Sequence, residues 1–235
     1  MVVGWSDSAF ANRPDKSSQG GRVIALVDES FTRGQWGPAT LITWDSKKLP
    51  RKVRSTPYSE TQALAESVGE IDYVRAAVAE IFNGYANIHD WAEAVRTALG
   101  VAVVDCKPTY DACVKSESSG LGLVDRHMAL ECISLRGKLQ NTDIQLRWVH
   151  SEANPADAMT KETYIAQVPL MSMIKQSRWR LVYDPGIISS RNRTKKGMKT
   201  LDSLDDIDQN YIGKQTSSSS CPLSVTSLDG GMDLE

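Results

Sequence analysis

Short apolar runs near the start of the chain predict three consecutive antiparallel strands. Each run is rich in β-branched or aromatic residues and is bounded by Gly, Pro, Asp or Ser. The three runs are Val2 to Ser6, Arg22 to Val27 and Ala39 to Trp44. The first predicted strand ends at Asp7, where the apolar pattern stops.

A long amphipathic helix is predicted next. Thr56 and Pro57 provide a helix start, with Thr as the N-cap and Pro at the first helical position. Apolar residues then recur at the spacing of one helix face. They are Leu64, Val68, Ile71, Val74, Val78 and Ile81.

The second half of the chain alternates strands with helices. Val101 to Val104 is a continuous apolar run ending at Asp105, as expected of a strand covered on both faces in the middle of a sheet. Asp143 to Val149 predicts another strand, because apolar and polar residues alternate along it. Helices are predicted over Pro108 to Lys115, over Leu121 to Leu139, and from Asn154-Pro155 onward.

This order of elements predicts an α/β fold. A strand that returns through a helix to lie parallel beside an earlier strand makes a right-handed crossover, so the sheet should be mixed. Trp179 to Tyr183 is the last apolar cluster and is expected to pack on the domain as a strand or extended segment. From about Pro185 the sequence becomes Arg/Lys-rich, then Asp-rich, then Ser-rich, which predicts a disordered tail.

Composition narrows the class of protein. The chain has 235 residues, 41% of them hydrophobic, which is enough for a packed core. Its 27 basic and 29 acidic side chains give a net charge of -2, so bulk charge gives no reason to expect a nucleic-acid partner. The four cysteines form no CxxC pair, which favours reduced thiols in an intracellular protein. No leader pattern and no apolar run of roughly 20 residues occurs, so neither secretion nor a membrane partner is expected. The sequence does not distinguish a nuclear from a cytoplasmic protein.

Four acidic residues from distant segments are candidates for one metal site. Asp7 and Asp105 end two strands that should be neighbours, and ligands usually bind at such strand ends. Glu60 shares the apolar face of the long helix, where a carboxylate is costly unless a cation or hydrogen bonds compensate it. Asp157 lies in the first turn of the last predicted helix. Two divalent cations about 4 Å apart, held by such acids, can activate water and neutralise a phosphodiester.

Each acid also has a purely structural interpretation. Asp7 could be a turn residue, and Glu60 and Asp157 could be first-turn acids favoured by the helix dipole. Asp105 is harder to explain in this way, because a charge at the end of a wholly apolar run needs a partner. On the pattern alone, both interpretations stay open.

Six sequence words around and between these acids resemble, in the same order, the ribonuclease H region of copia-type (Ty1/copia) retrotransposon Pol polyproteins. The resemblance covers most of residues 3 to 161 and carries the four acids with it. The words are Gly4 to Ala11, Ser17 to Gly21 with Ile42 to Lys48, Ser59 to Ala63, Val103 to Asp105, and Asn154 to Lys161.

The resemblance implies a ribonuclease H-like fold with a mixed five-stranded sheet flanked by helices. It also implies a metal-dependent endonuclease that cleaves the RNA strand of RNA–DNA hybrids during reverse transcription. Two Mg²⁺ ions, with Mn²⁺ as a substitute, would be held by the four acids. The implied partners are the hybrid and a reverse transcriptase domain of the same element. The domain would span 1–165, followed by a packed extension over 166–184 and the tail over 185–235.

Other residues near these words have two interpretations each. A basic run between the third strand and the long helix could contact hybrid phosphates or could be a solvated loop. Its members are Lys47, Lys48, Arg51, Lys52 and Arg54. His150 stands where cellular ribonucleases H often have a histidine that assists proton transfer, or it is an ordinary loop residue.

Two other functions stay open at this stage. The chain could be a catalytically decayed remnant that keeps the fold and binds nucleic acid or a partner protein. It could also be a different nuclease on the same fold, such as an exonuclease acting on DNA.

Overall fold

A mixed sheet of six strands organises the described part of the protein. The computed structural model describes residues 1–84, 91–114, 126–181, 188 and 190–197. The strands are β1 (Val2–Ala9), β2 (Gln19–Val27), β3 (Gly37–Lys48), β4 (Gly100–Val104), β5 (Ile144–Trp148) and β6 (Arg178–Trp179). Their order is β5-β4-β1-β2-β3-β6.

The predicted fold class, α/β with a mixed sheet flanked by helices, is confirmed. β1, β2 and β3 are antiparallel neighbours, whereas β4 and β5 run parallel to β1. The predicted number of five strands is one too few, because β6 pairs with the first two residues of β3. The prediction that the first strand ends at Asp7 is also wrong, since β2 pairs with β1 as far as Ala9.

Six helices are described around this sheet. They are α1 (Thr56–Asn83), α2 (Trp91–Arg96), α3 (Lys107–Val114), α4 (Arg126–Asn141), α5 (Tyr164–Gln176) and α6 (Ser190–Lys195). The sequence pattern did not predict α2, because six residues are too few to show a helical repeat. No helix in these ranges is both long and apolar enough to cross a bilayer.

The long helix α1 buries the predicted apolar face against the sheet, with Leu64, Val68 and Ile71 completely covered. Its N-cap is Ser55, not Thr56 as predicted, because the Ser55 side chain accepts the hydrogen bond from the main-chain N–H of Tyr58. Ile81 is 75% exposed, although its spacing placed it on the buried face. The reason is length: 28 residues make a helix of about 42 Å, whereas the eight residues of β1 span about 26 Å.

The central strand β4 is buried over its whole length, as its continuous apolar sequence predicted. Its register with β1 pairs Val2 with Gly100 and Trp5 with Val103. Counting two residues onward along both parallel strands brings Asp7 level with Asp105. The strand pairing alone therefore brings two of the four acids to the same edge of the sheet.

The segment after β5 differs from the prediction. Asn154 does cap a helical segment, but that segment is a 3-10 turn over Pro155–Met159 and not the start of a long α-helix. The turn ends because Thr160 leaves the helical conformation, with φ -124° and ψ -15°. The last long helix, α5, begins only at Tyr164.

Several predictions fall partly outside the described residues. The start of the predicted helix at 121–125 and the end of the last apolar cluster at 182–183 lie outside them. Most of the predicted tail over 185–235 also lies outside the described residues, although α6 within it is described. The three predicted segments, 1–165, 166–184 and 185–235, therefore stay a proposal.

Candidate metal centre

Asp7 lies within β1, opposite Gly21 of β2, and its side chain is almost completely buried. Its two carboxylate oxygens have different partners. The Thr160 hydroxyl donates to Oδ2, and the ammonium of Lys161 lies 3.3 Å from Oδ1. Asp7 is thus a buried acid that both strand pairing and polar contacts hold in place.

Glu60 and Asp105 reach the same point from two other elements of the fold. Glu60 lies near the start of α1 and is 5% exposed, while Asp105 directly follows β4 and is partly exposed. One carboxylate oxygen of each, together with one of Asp7, lies within 4.8 Å of the other two. Three acids that are far apart in the sequence therefore form one cluster, with the spacing that a single cation can bridge.

Asp157 joins this cluster through Lys161. The Lys161 Nζ lies 2.7 Å from Asp157 Oδ2 as well as 3.3 Å from Asp7 Oδ1. The turn that carries Asp157 is fixed by Asn154, whose side-chain amide donates to the Ser6 carbonyl at 3.0 Å. The Asn154 side-chain oxygen accepts from the Ala156 N–H. The structure thus brings all four predicted acids to one edge of the sheet, three in direct proximity and the fourth across an ammonium group.

Burial and mutual repulsion raise the pKa of three of the four acids. Burial, reinforced by the charges of Asp7 and Asp105, raises the pKa of Glu60 well above its usual range. Burial and the charge of Asp7 raise the pKa of Asp105 to about 6. Burial, together with Asp7 and Asp105, raises the pKa of Asp157 to about 8, although Lys161 opposes this change. The site carries more negative charge than its own residues can neutralise.

Two buried oxygens of this cluster have no hydrogen-bond donor among the described residues. They are Oε2 of Glu60 and Oδ1 of Asp157. An unpaired buried carboxylate oxygen is costly, and a cation removes that cost. A site made only of carboxylate oxygens suits Mg²⁺ or Mn²⁺ in preference to softer metals. The residues present therefore fit the divalent cations that the sequence predicted.

His150 lies close to this cluster in the chain but is buried. It is 5% exposed, and its Nδ1 lies 3.7 Å from a carboxylate oxygen of Glu152. The next residue, Ser151, hydrogen-bonds the Asp105 carboxylate through its side chain. A catalytic role for His150 stays a prediction, since its burial is equally consistent with a positioning role in the loop after β5.

The basic run is largely paired with acids of the protein itself. Lys48 Nζ lies 2.5 Å from Asp15 Oδ2, and Arg51 Nη1 lies 2.5 Å from Glu131 Oε2. Lys47 Nζ lies 3.4 Å from Asp45 Oδ2. The remaining two, Lys52 and Arg54, are exposed. Asp15 and Glu131 lie 33 and 80 residues from their partners in the chain, which is why the sequence did not reveal these two pairs, whereas Asp45 lies two residues from Lys47 on β3.

Sequence reasoning missed the role of Lys161, although the residue stood in the last matched word. Asp157 and Lys161 are four residues apart, a spacing that allows an ion pair along a helical turn. Its contact with Asp7, 154 residues away in the chain, could not be read from that spacing. Asn154 was predicted only as a cap, and its bond to β1 adds the connection that fixes the turn.

Gly21 leaves the space in which the Asp157 turn packs, and Gly21→Ala is expected to displace that turn. A Cβ at Gly21 would lie 2.4 Å from Met159 Cβ and 2.8 Å from Thr160 Cγ2, distances that real side chains do not adopt. We expect a loss of about 1–3 kcal/mol in the free energy of unfolding, measured by chemical denaturation.

The matched control for this change is Gly137→Ala on α4. A Cβ there meets no heavy atom of the described residues within 4 Å. Alanine favours a helix, so this variant should gain about 0.5–1 kcal/mol. Equal losses in both variants would show that Gly21 has no special packing role.

Comparison with known proteins gives a weak likeness to ribonucleases H. No family model and no curated protein matches the chain. Among solved structures, LC11-RNase H1 in complex with an RNA/DNA hybrid is 10% identical, with 68% of this chain and 93% of that chain covered and a TM-score of 0.42. The PFV RNase H domain is 14% identical, with 75% and 93% covered and a TM-score of 0.36.

A larger polypeptide also shows this likeness. The foamy viral protease-reverse transcriptase in complex with RNA/DNA hybrid is 13% identical, with 72% of this chain and 18% of that chain covered and a TM-score of 0.37. Identities this low say nothing of substrate or activity.

Proposed function

We propose that this protein is a metal-dependent ribonuclease H that cleaves the RNA strand of RNA–DNA hybrids and that it comes from a copia-type retrotransposon Pol polyprotein. The observation that carries the proposal is the cluster of Asp7, Glu60 and Asp105, whose ligand oxygens lie within 4.8 Å of one another at the edge of the sheet. Asp157 completes the set at 2.7 Å from the shared lysine. The proposed retrotransposon origin rests on the six sequence words.

The four acids are proposed to hold two divalent cations, Mg²⁺ or Mn²⁺. Such cations would activate the attacking water and stabilise the leaving oxygen of the phosphodiester. The fold sets the positions of three of these acids. β1 fixes Asp7, the start of α1 fixes Glu60, and the end of β4 fixes Asp105. Because these elements are packed in one core, the carboxylates are held ready without a large rearrangement.

The negative charge of the site makes cations necessary for substrate binding. A phosphodiester approaching these clustered carboxylates would be repelled unless cations came with it. Lys52 and Arg54 are the members of the basic run proposed to contact phosphates, because they are exposed and Arg54 directly precedes the helix cap Ser55. Such contacts position a duplex without reading its sequence.

The test is a cleavage assay on a substrate panel with the purified full chain. Labelled RNA–DNA hybrid, duplex DNA, duplex RNA and both single strands are incubated with Mg²⁺ or Mn²⁺ from zero to 10-fold above saturation, and with chelator. We expect internal cuts in the RNA strand of the hybrid alone, and none with chelator.

The other outcomes separate the alternatives. Hybrid binding without cleavage at any metal concentration would identify a decayed remnant and overturn the enzymatic proposal. Stepwise shortening of DNA from one end would identify an exonuclease on the same fold.

A further inference from the structure

Three of the four acids form one cluster, and Lys161 lies between this cluster and the fourth acid, Asp157. Asp7, Glu60 and Asp105 lie close enough to share one cation, whereas Asp157 contacts the group through the ammonium of Lys161. That ammonium lies 2.7 Å from Asp157 Oδ2 and 3.3 Å from Asp7 Oδ1. It lies between the two carboxylates, those of Asp7 and Asp157, that would hold a second cation.

An ammonium and a divalent cation cannot occupy this bridge together. Both are positive, and at a separation of a few ångströms inside a partly buried site their repulsion is weakly screened. Both also need the lone pairs of the same two carboxylates. A second cation can therefore bind there only when the ammonium leaves.

The lysine can leave without unfolding of the site. Its side chain is 39% exposed, and its four-carbon stem allows the ammonium to swing into solvent. Its main chain stays anchored, because the Lys161 N–H donates to the Asp157 carbonyl at 3.0 Å. Exchange of ammonium for metal is thus a side-chain movement at a fixed backbone.

We propose that Lys161 is a built-in competitor for the second metal position, so that cations bind in two unequal steps. The first cation enters the cluster of Asp7, Glu60 and Asp105, and the second enters between Asp7 and Asp157 only by displacing Lys161. This inference rests on the proposed function, since it concerns how the same site fills. Lys161 acts here as a positioning residue that sets the occupancy of the site.

The experiment counts bound Mn²⁺ at equilibrium, using the electron paramagnetic resonance signal of free Mn²⁺ and the full-length chain. Wild type should show one tighter and one weaker site. Lys161→Met removes the charge and keeps an unbranched side chain that is one atom shorter, and it should tighten the weaker site about tenfold while the tighter site changes less. Lys161→Arg keeps the charge and should resemble wild type, and Asp157→Asn should remove the weaker step alone.

Thermal denaturation gives a second readout that a merely structural lysine would not produce. Without metal, Lys161→Met should melt at a lower temperature than wild type, because Asp7 and Asp157 lose their counter-charge. Its gain in melting temperature with Mn²⁺ should be larger than that of wild type. A lysine needed only for packing would lower both melting temperatures equally. Lys161→Gln serves in the same way if the methionine variant does not fold.

Two results overturn the proposal, and they differ in what else they affect. An unchanged or weakened second site in Lys161→Met refutes the competitor role and leaves the metal site intact. No saturable Mn²⁺ binding by the wild type refutes the metal site and, with it, the competitor role.

Discussion

Replacing Asp105 with asparagine is expected to abolish hybrid cleavage while raising the melting temperature of the metal-free protein. The amide has nearly the same size but no charge, so a cation held by Asp7, Glu60 and Asp105 loses one of its anionic ligands. Loss of a metal ligand at a hydrolytic centre should reduce the rate by about 10³-fold or more. Activity is measured on the labelled hybrid at saturating Mg²⁺.

The same change removes an unfavourable charge. The pKa of Asp105 is raised to about 6 by burial and by Asp7, so at neutral pH the folded protein keeps this carboxylate ionised at a cost. Asparagine removes that cost and also relieves Glu60, whose pKa is raised in part by Asp105. Opposite effects of one substitution on activity and stability are the expected mark of a functional acid.

The matched control is Asp111→Asn on α3, an acid paired with Lys107 at 3.1 Å and not part of the cluster. It should leave cleavage within about twofold of wild type and change stability by no more than about 0.5 kcal/mol, the size of a typical exposed ion pair. Full activity in Asp105→Asn would refute the assignment of Asp105 as a metal ligand.

The metal-free protein is expected to lose stability as the pH rises from 5 to 9, and saturating Mg²⁺ should largely prevent the loss. In the unfolded chain these acids titrate near pH 4. In the folded protein the pKa is about 6 for Asp105 and about 8 for Asp157. Between these values the folded state holds protons that the unfolded state has released, so raising the pH favours unfolding.

The contribution of Asp105 and Asp157 to the free energy of unfolding is thus fully present below about pH 4. It is lost as the pH rises through the folded pKa values, about 6 for Asp105 and about 8 for Asp157. We expect the melting temperature to fall by about 5 °C or more over this range in chelator, since one unit of pKa shift corresponds to about 1.4 kcal/mol. Metal at 100 times its dissociation constant should raise the free energy of unfolding by about 2.7 kcal/mol. Scanning calorimetry in matched buffers measures both effects.

A melting temperature that does not change with pH in chelator would contradict the burial of charge at this site. The Asp105→Asn variant provides an internal check, because the part of the decline that Asp105 causes, between about pH 4 and pH 6, should disappear from it. The part that extends up to about pH 8, which belongs to Asp157, should persist but end at a lower pH, because Asp105 no longer repels the Asp157 charge.

The sheet was predictable because its signals are local. β4 has no polar residue within its five positions, so its central place followed from its sequence alone. The apolar repeat of α1 predicted the helix and its buried face for the same reason. Errors occurred where a boundary depended on a partner: β1 passes Asp7 because β2 continues to pair with it.

The site was predictable only in its acids. A carboxylate at the end of a buried strand is visible in the sequence, because its charge interrupts an apolar run. The ammonium group that bridges Asp7 and Asp157 could not be predicted. Lys161 is close to Asp157 in the sequence, but only the fold brings it close to Asp7. The ion pair of Arg51 with Glu131 stayed hidden for the same reason, as 80 residues separate them.

The place of β4 between β1 and β5 also has a consequence for the order of folding. β1 meets β2 through a short connection, whereas it meets β4 only after a loop of about 90 residues has closed. Closing a long loop costs entropy before any contact repays it, so the hairpin of β1 and β2 should form early and the parallel pairing late. Asp7 and Asp105 then come together only in that last stage, and a folding intermediate with the hairpin alone has no place to hold a cation.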